Sequence, residues 1–535
     1  MNQAPPPASP DTSGSGPAWQ LDELLEPRVW PPADSAPRLI ETHISWVILI
    51  GPFAYKIKKP VDLGFFDGRS LEQRRALCET EWRLNRRLAP ELYVDVVPIV
   101  RTAAGLRMGA PGDAVEYAVR MRRFDGADEL SSLLERHAVS EEELRALAGL
   151  IADFHSRAPA SNTGDAPHPQ SFEAAIGRLV PQLQAALDRL GAGPSIAQAN
   201  RSIAWLQDQA RVLAGELAAR AANGRVRECH GDLHSRNIVR WNGALLPFDC
   251  IEFSPALRWI DVMEDIAFLY MDLVAHARTD LAAVFLAAYL ESGGDYAGLR
   301  VLRAFAVYRA LVRAMVDGIA AEQQPQNREA LELRLRNRLE AADRLMARGE
   351  VRLILMHGVS GSGKSWLSQR LVPALPAVRV RSDLERKRLA GLNATFRGDD
   401  ASLYQEDMNR KTQARLLECA GHALAGGFDV IVDATFLRAQ DREPFARLAR
   451  DQGARYVILS CRASPQVLLD RIRRRQGAGT DPSDADERVL RQQLGRDWSL
   501  GPAEQAWAIS IDTGEPYGVS DIVSRLTCGA PALRE

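Results

Sequence analysis

A glycine-rich segment, residues 358–365, lies in the last third of the chain and leaves few possible folds for this region. An apolar stretch typical of a buried strand, residues 351–356, precedes it, and a helical pattern follows it. A glycine-rich loop between a strand and a helix, known as a P-loop, places its backbone amides around phosphate groups. Later strand-like segments alternate with helical patterns, namely residues 378–381, 430–432 and 456–461. The sequence therefore predicts a parallel α/β sheet in this half.

The residues of this loop each have a chemical task in nucleotide binding. The predicted phosphate-binding residues are Gly358, Val359, Ser360, Gly361, Ser362, Gly363, Lys364 and Ser365. The ammonium group of Lys364 is expected to reach the β- and γ-phosphates, and the hydroxyl of Ser365 to ligate magnesium. ATP and Mg²⁺ are thus the predicted ligands of this half. The alternative is a glycine-rich turn with a structural role alone.

Two carboxylates and a basic segment follow the strands of the predicted sheet. Asp383 comes just after the strand at the sheet edge where substrates bind in doubly wound folds, which makes it a candidate general base. Asp433 ends the next strand and is predicted to hold magnesium through water, with helix N-capping as the alternative. Arg475 ends a basic helix before a glycine-rich segment. That pattern predicts a lid whose arginines neutralise the transferring phosphoryl group, unless they form a solvated face.

The C-terminal motifs resemble those of polynucleotide-kinase-like, zeta-toxin-like and gluconate-kinase-like P-loop kinases. They are Ser382-Asp383-x-x-Arg386, Asp433-Ala-Thr-Phe436 with Arg442, and Arg475 before Asp481-Pro-Ser-Asp-Ala485. The resemblance spans residues 351–525 and implies Asp383 as the base, Arg386 near the acceptor and Arg475 as the lid arginine. It leaves the acceptor open between a nucleic-acid 5′-hydroxyl, a sugar and another metabolite.

A second, unrelated signature lies upstream, His230-Gly-Asp232-Leu-His-Ser-Arg-Asn237. At this spacing in a kinase catalytic loop, the aspartate takes the proton of the attacking hydroxyl and the asparagine binds a metal. Asn242-Gly243 predicts a tight hairpin whose register places Asn237 opposite Phe248, next to Asp249. Two oxygen ligands then converge, as Mg²⁺ requires. The alternative is a polar loop of capping and turn residues.

A kinase of this type also needs a strand lysine for the α- and β-phosphates and a helix glutamate that orients it. Lys56, in a predicted strand, is the best match, although Lys58 lies on the same face and exposed lysines on an edge strand are the alternative. Glu81 falls on the apolar stripe of a helix predicted at residues 71–88, where a carboxylate needs a cationic partner. Glu79 lies off that stripe and is predicted to be solvated.

The catalytic segment with the later Asp249 looks like that of the aminoglycoside phosphotransferase and choline kinase group, which has the protein-kinase-like fold. The resemblance covers residues 38–340 and implies transfer of the ATP γ-phosphate to a small-molecule hydroxyl. It implies Asp232 as the base, with Asn237 and Asp249 on magnesium. Two departures are the absence of a glycine-rich loop in the first hairpin and Asp249-Cys-Ile-Glu252 in place of Asp-Phe-Gly.

The chain is predicted to form two domains in succession. Residues 1–25, rich at their start in Pro, Ser, Gly and Ala, are assigned to a disordered tail. Residues 26–345 are predicted to form an α+β protein-kinase-like domain, with a small β-rich lobe before a helical lobe. The last helix is expected to stop at Gly349 as a C-cap, and residues 346–535 are assigned to the α/β P-loop domain. The helices predicted for the helical lobe include residues 141–156, 195–222, 281–291, 301–321 and 328–348.

Charge and cysteine usage limit the compartment and the partners. A formal net charge of -2 gives no global attraction to nucleic acid or to an anionic membrane. No apolar run approaches the roughly 18 residues of a membrane span. The 6 cysteines are scattered without a CxxC pair, which is typical of a reducing compartment, so a cytoplasmic protein without membrane partners is predicted.

Together these patterns predict a bifunctional phosphotransferase in which both halves use ATP and Mg²⁺ and act on hydroxyl groups of small-molecule acceptors. Nucleic acid is the less favoured acceptor, although Arg386 and Arg442 would make a small basic pocket for a 5′ end. Two alternatives stay open. One is a polynucleotide 5′-hydroxyl kinase with a regulatory ATP-binding first domain, and the other is a chain in which one half is a non-catalytic ATP-binding scaffold.

Overall fold

The computed structural model describes residues 19–31, 36–64, 66–161, 171–392, 405–478 and 487–528. It divides the chain into two compact units. The first comprises residues 1–139, 157–170 and 219–265, and the second comprises residues 140–156, 171–218 and 266–535. The domain boundary predicted near residue 345 lies inside the second unit, which contains helices before that point and the α/β sheet after it.

The described secondary structure is mixed. The strands are β1 (Arg38–Glu41), β2 (Ser45–Ile50), β3 (Phe53–Lys58), β4 (Tyr93–Thr102), β5 (Gly105–Met108), β6 (Ala114–Arg122), β7 (Val226–Glu228), β8 (Ile238–Trp241), β9 (Ala244–Pro247), β10 (Trp259–Asp261), β11 (Arg352–His357), β12 (Val378–Arg381), β13 (Val430–Asp433), β14 (Arg455–Arg462) and β15 (Ala508–Asp512). The α-helices are α1 (Leu21–Leu24), α2 (Leu71–Asn85), α3 (Leu130–Glu135), α4 (Glu141–Arg157), α5 (Phe172–Leu190), α6 (Gly193–Val212), α7 (Ala214–Ala222), α8 (Pro255–Arg258), α9 (Val262–Ala275), α10 (Thr279–Gly293), α11 (Leu299–Gln323), α12 (Arg328–Met346), α13 (Lys364–Ala374), α14 (Ser382–Leu389), α15 (Glu406–Ala425), α16 (Ala439–Asp451), α17 (Pro465–Ala478), α18 (Glu487–Leu494), α19 (Pro502–Gln505) and α20 (Val519–Cys528).

The first unit is built on an antiparallel sheet with the strand order β1-β2-β3-β6-β4-β5. The hairpin between β2 and β3 turns at Gly51, whose φ of 52° lies in the left-handed region that glycine favours. Helix α2 starts after Ser70, whose hydroxyl accepts the Gln73 amide proton at 3.1 Å. The sheet and this helix are the predicted β-rich lobe. Because β3 lies between β2 and β6, Lys56 is on an inner strand and the edge-strand alternative is wrong.

Part of the predicted N-terminal tail is packed against this sheet. Trp19 and Leu24 are buried, and the rings of Trp19 and Trp46 lie 5.5 Å apart. Trp30 lies 4.5 Å from the ring of Tyr55 and donates its indole proton to the backbone oxygen of Leu24 at 2.8 Å. The tail prediction is therefore wrong for residues 19–25, because their apolar side chains cover the sheet face that carries Tyr55. Residues 1–18 lie outside the described part of the chain.

The second unit contains a parallel sheet with the strand order β12-β13-β11-β14-β15. Four of these strands were predicted, and β15 was not. Its apolar core includes Ile354, Leu371 and Val457, which are buried between the sheet and its helices. Parallel strands end at one sheet edge, and the register pairs Arg381 with Asp433 there. The chain thus has the predicted two-domain architecture, a kinase-like N-terminal domain and a C-terminal P-loop domain.

The predicted helices of the region before residue 346 are present, with several differences. The segment at residues 195–222 forms two helices, α6 and α7. Helices α3, α5, α8 and α9 were not predicted. The prediction that the last helix stops at Gly349 is wrong, because α12 ends at Met346 and the next residue is extended. Its last carbonyl groups are satisfied by Arg303, whose guanidinium donates to the backbone oxygens of Leu345 and Ala347.

Two further observations concern the described residues alone. No helix among them is both long and apolar enough to cross a membrane. Their free cysteines are all buried: Cys78, Cys229, Cys250, Cys419 and Cys461.

Candidate active sites

The catalytic-loop segment of the first unit follows β7 and is fixed by a carboxylate from further along the chain. Asp265 accepts the backbone amide protons of His230 at 3.1 Å and Gly231 at 2.8 Å. Gly231 has a φ of 86°, and a Cβ there would lie 2.7 Å from a backbone oxygen, so only glycine fits. His230 donates its Nε2 proton to the Phe248 carbonyl at 2.9 Å. Burial lowers the pKa of His230, which favours a neutral ring.

Asp232 and Asn237 are in direct contact. The side-chain nitrogen of Asn237 donates to Oδ2 of Asp232 at 2.8 Å and to its backbone oxygen at 3.0 Å. Nδ1 of His234 accepts the amide proton of Arg236, so its Nε2 carries a proton and lies 3.3 Å from the same carboxylate oxygen. These donors orient the carboxylate of Asp232. The amide nitrogen of Asn237 is engaged by Asp232, which leaves its amide oxygen as the ligand atom for a cation.

The β8–β9 hairpin brings Asp249 next to Asn237. The strands pair in the predicted register, and the Phe248 amide donates to the backbone oxygen of Asn237 at 2.8 Å. Asp249 has a φ of 61°, a left-handed conformation that is uncommon for residues other than glycine. Its amide donates to the Tyr93 hydroxyl at 3.1 Å, which helps to hold this conformation. Strained backbone of this kind is concentrated at functional sites.

Lys56 lies between two carboxylates. Its ammonium group donates to Glu81 at 2.8 Å and also to Oδ1 of Asp249. The predicted strand lysine and helix glutamate are therefore in contact, and both are buried. Burial acts to raise the pKa of Glu81, but the ammonium groups of Lys56 and Lys58 outweigh it and lower this pKa to about 2. The side chain of Glu79 is 53% exposed, as predicted for a solvated residue.

A second buried ion pair lies beside the first and was not predicted. The ammonium nitrogen of Lys58 is 2.6 Å from Oε2 of Glu81, and it also contacts Glu252. Burial raises the pKa of Glu252, and Lys58 opposes that change. Glu252 belongs to the segment that replaces Asp-Phe-Gly. Lys58 therefore connects this segment to the Lys56–Glu81 pair, because it contacts both glutamates.

The donor set of the first unit fits a magnesium nucleotide. Asn237 and Asp249 offer amide and carboxylate oxygens, which are the ligands that Mg²⁺ prefers. Lys56 is a cation fixed in one position by Glu81, the arrangement that kinases use for the α- and β-phosphates. These placements agree with the roles predicted for the residues, and the roles themselves stay predictions.

The predicted P-loop connects β11 to α13 in the second unit. Gly358, Gly361 and Gly363 have φ angles of 138°, 80° and 85°. A Cβ at Gly358 would lie 2.3 Å from the backbone oxygen of Cys461, so the loop passes too close to β14 for any side chain. Helix α13 begins at Lys364, and its N-terminus therefore adjoins the loop. The loop is a backbone cradle next to a helix N-terminus, which fits phosphate groups.

Two donors of this loop are satisfied by oxygens of the chain itself. The ammonium group of Lys364 folds back over the loop and donates to the backbone oxygen of Val359 at 2.8 Å. The amide of Ser360 donates to the side-chain oxygen of Gln493 at 2.8 Å. Both donors point to positions that an oxygen atom can occupy, and phosphate oxygens are acceptors of the same kind. Ser362, also in the loop, is fully buried.

Ser365 and Asp433 are in contact, as a magnesium pair requires. The hydroxyl of Ser365 donates to Oδ1 of Asp433 at 3.2 Å, and the hydroxyl of Ser368 donates to Oδ2 at 3.0 Å. A hydroxyl and a strand-end carboxylate are the protein groups that hold Mg²⁺ in P-loop enzymes. The alternative that Asp433 caps a helix is wrong, because α16 starts only after Arg438.

The predicted acceptor-binding residues are distributed around the same sheet edge. Asp383 lies in the first turn of α14, two residues beyond Arg381, which pairs with Asp433 across the sheet. Arg386 lies on the same helix and donates to Asn409 at 2.5 Å. The sheet thus brings Asp383 to the edge that carries the magnesium pair.

The remaining basic residues predicted for this site are Arg442 and Arg475. The suggestion that Arg442 contributes to a basic pocket is wrong, because its side chain is buried and donates to both carboxylate oxygens of Glu504, at 2.7 Å and 2.6 Å. Arg475 lies in α17, but its side chain falls outside the described residues, as do residues 479–486, which follow it in the predicted lid region. Arg471 of the same helix donates to Thr513 at 2.9 Å.

Sequence reasoning missed several residues of these sites. They are Glu252, Asp265, Ser368 and Arg379, whose Nη1 lies 3.4 Å from the Ser368 hydroxyl. Glu252 carried a weak signal, because it lies three positions after the predicted ligand Asp249. The other three residues carried no sequence signal, because the residues they contact are distant in the chain and are brought to them only by folding.

Two family models match the chain in agreement with these sites. The model described as "Phosphotransferase enzyme family" matches residues 69–305, and the model described as "AAA domain" matches residues 353–496. Among solved structures, a choline kinase from Cryptosporidium parvum is 12% identical, with a TM-score of 0.35, over 58% of this chain and 89% of that one. A gluconokinase from Sinorhizobium meliloti is 21% identical, with a TM-score of 0.24, over 33% of this chain and 89% of that one.

Two curated relatives cover nearly the whole chain. They are the uncharacterized proteins Rv2004c of Mycobacterium tuberculosis and Mb2027c of Mycobacterium bovis, each 31% identical over 479 residues, which is 86% of this chain and 90% of the relative. The kinase-type domains make this chain a phosphotransferase in its broad class. In this chain a phosphotransferase-family domain precedes an AAA-type P-loop kinase domain. With 31% identity over most of both sequences, the chain belongs to the same family as these mycobacterial proteins.

Proposed function

We propose that the chain is a bifunctional ATP-dependent phosphotransferase that acts on hydroxyl groups of small molecules. The observation that supports this most directly is that each unit brings together a lysine and a pair of magnesium-type ligands. Lys56 contacts Asp249 beside Asn237 in the first unit, and Lys364 adjoins Ser365 with Asp433 in the second. We place the activity in the cytoplasm, where buried free cysteines stay reduced.

In the first half, Asp232 takes the proton of the acceptor hydroxyl as its oxygen attacks the γ-phosphorus and the bond to ADP breaks. The contacts from Asn237 and His234 keep the carboxylate in position for this transfer. Lys56, oriented by Glu81, binds the α- and β-phosphates. A bound magnesium ion would neutralise phosphate charge, and Asn237 and Asp249 would hold it.

In the second half, the loop amides and Lys364 bind the β- and γ-phosphates. Asp383 takes the proton of the acceptor hydroxyl at the edge of the sheet. Ser365 and Asp433 would hold the magnesium ion, which supplies positive charge next to the transferring group. Arg475 is assigned to the lid that closes over the phosphates.

A metabolite screen with the full-length chain tests this proposal. The chain is incubated with ATP, Mg²⁺ and pooled hydroxyl-bearing metabolites, and ADP release is measured. We expect release that depends on the acceptor and stops when EDTA removes magnesium. If one of the two sites supports no turnover with any pool, that half is a non-catalytic nucleotide-binding scaffold, and the bifunctional proposal fails.

For the second half we propose a small metabolite as the acceptor rather than a polynucleotide. Binding a polynucleotide requires several free cationic contacts to phosphates. Arg442 is instead buried against Glu504, and Arg473 of α17 pairs with Glu487 at 2.7 Å. The near-neutral chain offers no compensating global charge. The surroundings of the P-loop thus favour an acceptor that makes only a few contacts.

Labelling of an oligonucleotide tests the acceptor class. Transfer of labelled γ-phosphate to a 5′-hydroxyl oligonucleotide is measured for the full-length chain at low and moderate salt. We expect no more labelling than in the Lys364→Ala variant. Efficient labelling that Lys364→Ala removes, and that weakens steeply with salt, would contradict the metabolite proposal and support a polynucleotide kinase.

A further inference from the structure

Arg379 of β12 connects the P-loop site to a helix that precedes it in the chain by almost ninety residues. Its guanidinium forms a two-point ion pair with Glu291 of α10, with Nε to Oε1 at 2.6 Å and Nη2 to Oε2 at 3.1 Å. Arg379 is 3% exposed, and the side chain of Glu291 is 14% exposed. A bidentate arginine–carboxylate pair with little access to water fixes the orientation of both groups.

The third nitrogen of the same guanidinium faces the residues that contact Asp433. Nη1 of Arg379 lies 3.4 Å from the backbone oxygen of Ser365 and 3.4 Å from the hydroxyl oxygen of Ser368. Both serine hydroxyls donate to the carboxylate of Asp433. A continuous chain of polar contacts therefore runs from Glu291 through Arg379 to the magnesium pair.

The end of α10 is also hydrogen-bonded to α14, the helix that carries Asp383. Arg388 of α14 donates to the backbone oxygen of Glu291 at 2.6 Å, and Arg415 of α15 donates to that of Gly294 at 2.7 Å. The hydroxyl of Tyr296 donates to the backbone oxygen of Arg379 at 3.1 Å. These contacts lie within one compact unit. They keep the carboxylate of Glu291 at a defined place beside β12.

We propose that Glu291 is a positioning residue of the P-loop site. By fixing Arg379 it holds Ser365 and Ser368 against Asp433 in the arrangement that binds magnesium. Glu291 lies in the segment matched by the phosphotransferase family model and Arg379 in the segment matched by the AAA model. The P-loop site thus depends on a residue of the segment that the phosphotransferase family model matches, although both residues lie in the second compact unit. This inference rests on the proposed function of the P-loop half.

The test measures how much Mg²⁺ is needed for half-maximal binding of a fluorescent ATP analogue. All variants are made in the full-length chain with Lys56→Met, which weakens ATP binding at the first site. The part of the fluorescence signal that is lost when Lys364→Ala is added is assigned to the P-loop site. In Glu291→Gln we expect the required Mg²⁺ concentration to rise roughly tenfold. Mutating residues that hold metal ligands in place typically weakens metal binding by about 10-fold to 100-fold, and this rise is at the low end of that range. Glu291→Asp keeps the charge with a shorter reach and is expected to show a smaller rise.

Asp272→Asn is the matched control, because Asp272 is a buried carboxylate of the same unit that pairs with Arg338 of α12. It is expected to lower the melting temperature as Glu291→Gln does, but to leave the Mg²⁺ requirement unchanged. An unchanged requirement in Glu291→Gln, or in Glu291→Asp if the first variant does not fold, would overturn the inference alone. The parent chain could also show no Mg²⁺-dependent binding that Lys364→Ala removes. That result would overturn the proposed function of the P-loop half, and this inference with it.

Discussion

Asp232→Asn is expected to lower phosphoryl transfer by the first site by roughly 10² or more, the scale of the loss of a general base. The variant keeps an oxygen that accepts from Asn237 and His234, so the loop geometry is expected to survive. The amide of asparagine cannot take the proton of the attacking hydroxyl. ATP binding should be largely intact, because Lys56 and Glu81 are unchanged.

The measurement is ADP release with the acceptor found in the screen, in the full-length chain carrying Lys364→Ala so that only the first site turns over. Glu79→Gln is a suitable control, because Glu79 is an exposed carboxylate on α2 of the same unit. We expect its turnover to equal that of the parent. Turnover within about twofold of the parent in Asp232→Asn would remove this residue from the mechanism.

Lys364→Ala is expected to lower transfer by the second site by roughly 10² to 10³, the loss caused by removing one group that stabilises transition-state charge. Its ammonium group lies over the P-loop, where it contacts the backbone oxygen of Val359 at 2.8 Å. Transfer by the first site should stay within about twofold, because Lys56 and its partners belong to the other compact unit. The two acceptor-dependent rates are measured separately in the same preparation.

Lys411→Ala provides the control for loss of a lysine in the second unit, since Lys411 is exposed and its ammonium group pairs with Asp407, which is also exposed. We expect both rates to be unchanged in this variant. If Lys364→Ala instead removes both activities, the halves form a single catalytic unit and the proposal of two independent sites fails.

The parts of both sites that depend on local spacing were predictable. The P-loop is specified by glycines at positions with positive φ, and the strand and helix around it follow from apolar periodicity. The hairpin register that places Asp249 next to Asn237 follows from the turn chemistry of Asn242-Gly243. Glu81 was identified because a carboxylate on an apolar helical stripe requires a buried cation.

Other residues could not be assigned from the sequence, because their meaning depends on which distant residue the fold brings to them. Trp19 and Leu24 follow a segment rich in Pro, Ser, Gly and Ala, which predicted a tail. They are buried because the sheet offers them an apolar face. Arg442 looked like a ligand for an acceptor, and Glu504, remote in sequence, neutralises it.

Two phosphate-binding chemistries, and the residue types that carry them, were predictable from the amino-acid order, because they depend on short spacings and backbone conformation. Apart from Lys56 with Glu81, the buried charge pairs of the two sites were seen only in the folded protein. Lys58 with Glu252, Asp265 with the catalytic-loop amides, and Arg379 with Glu291 each join residues far apart in the chain. A buried charge must find a partner wherever the fold supplies one, and local patterns do not encode that partner.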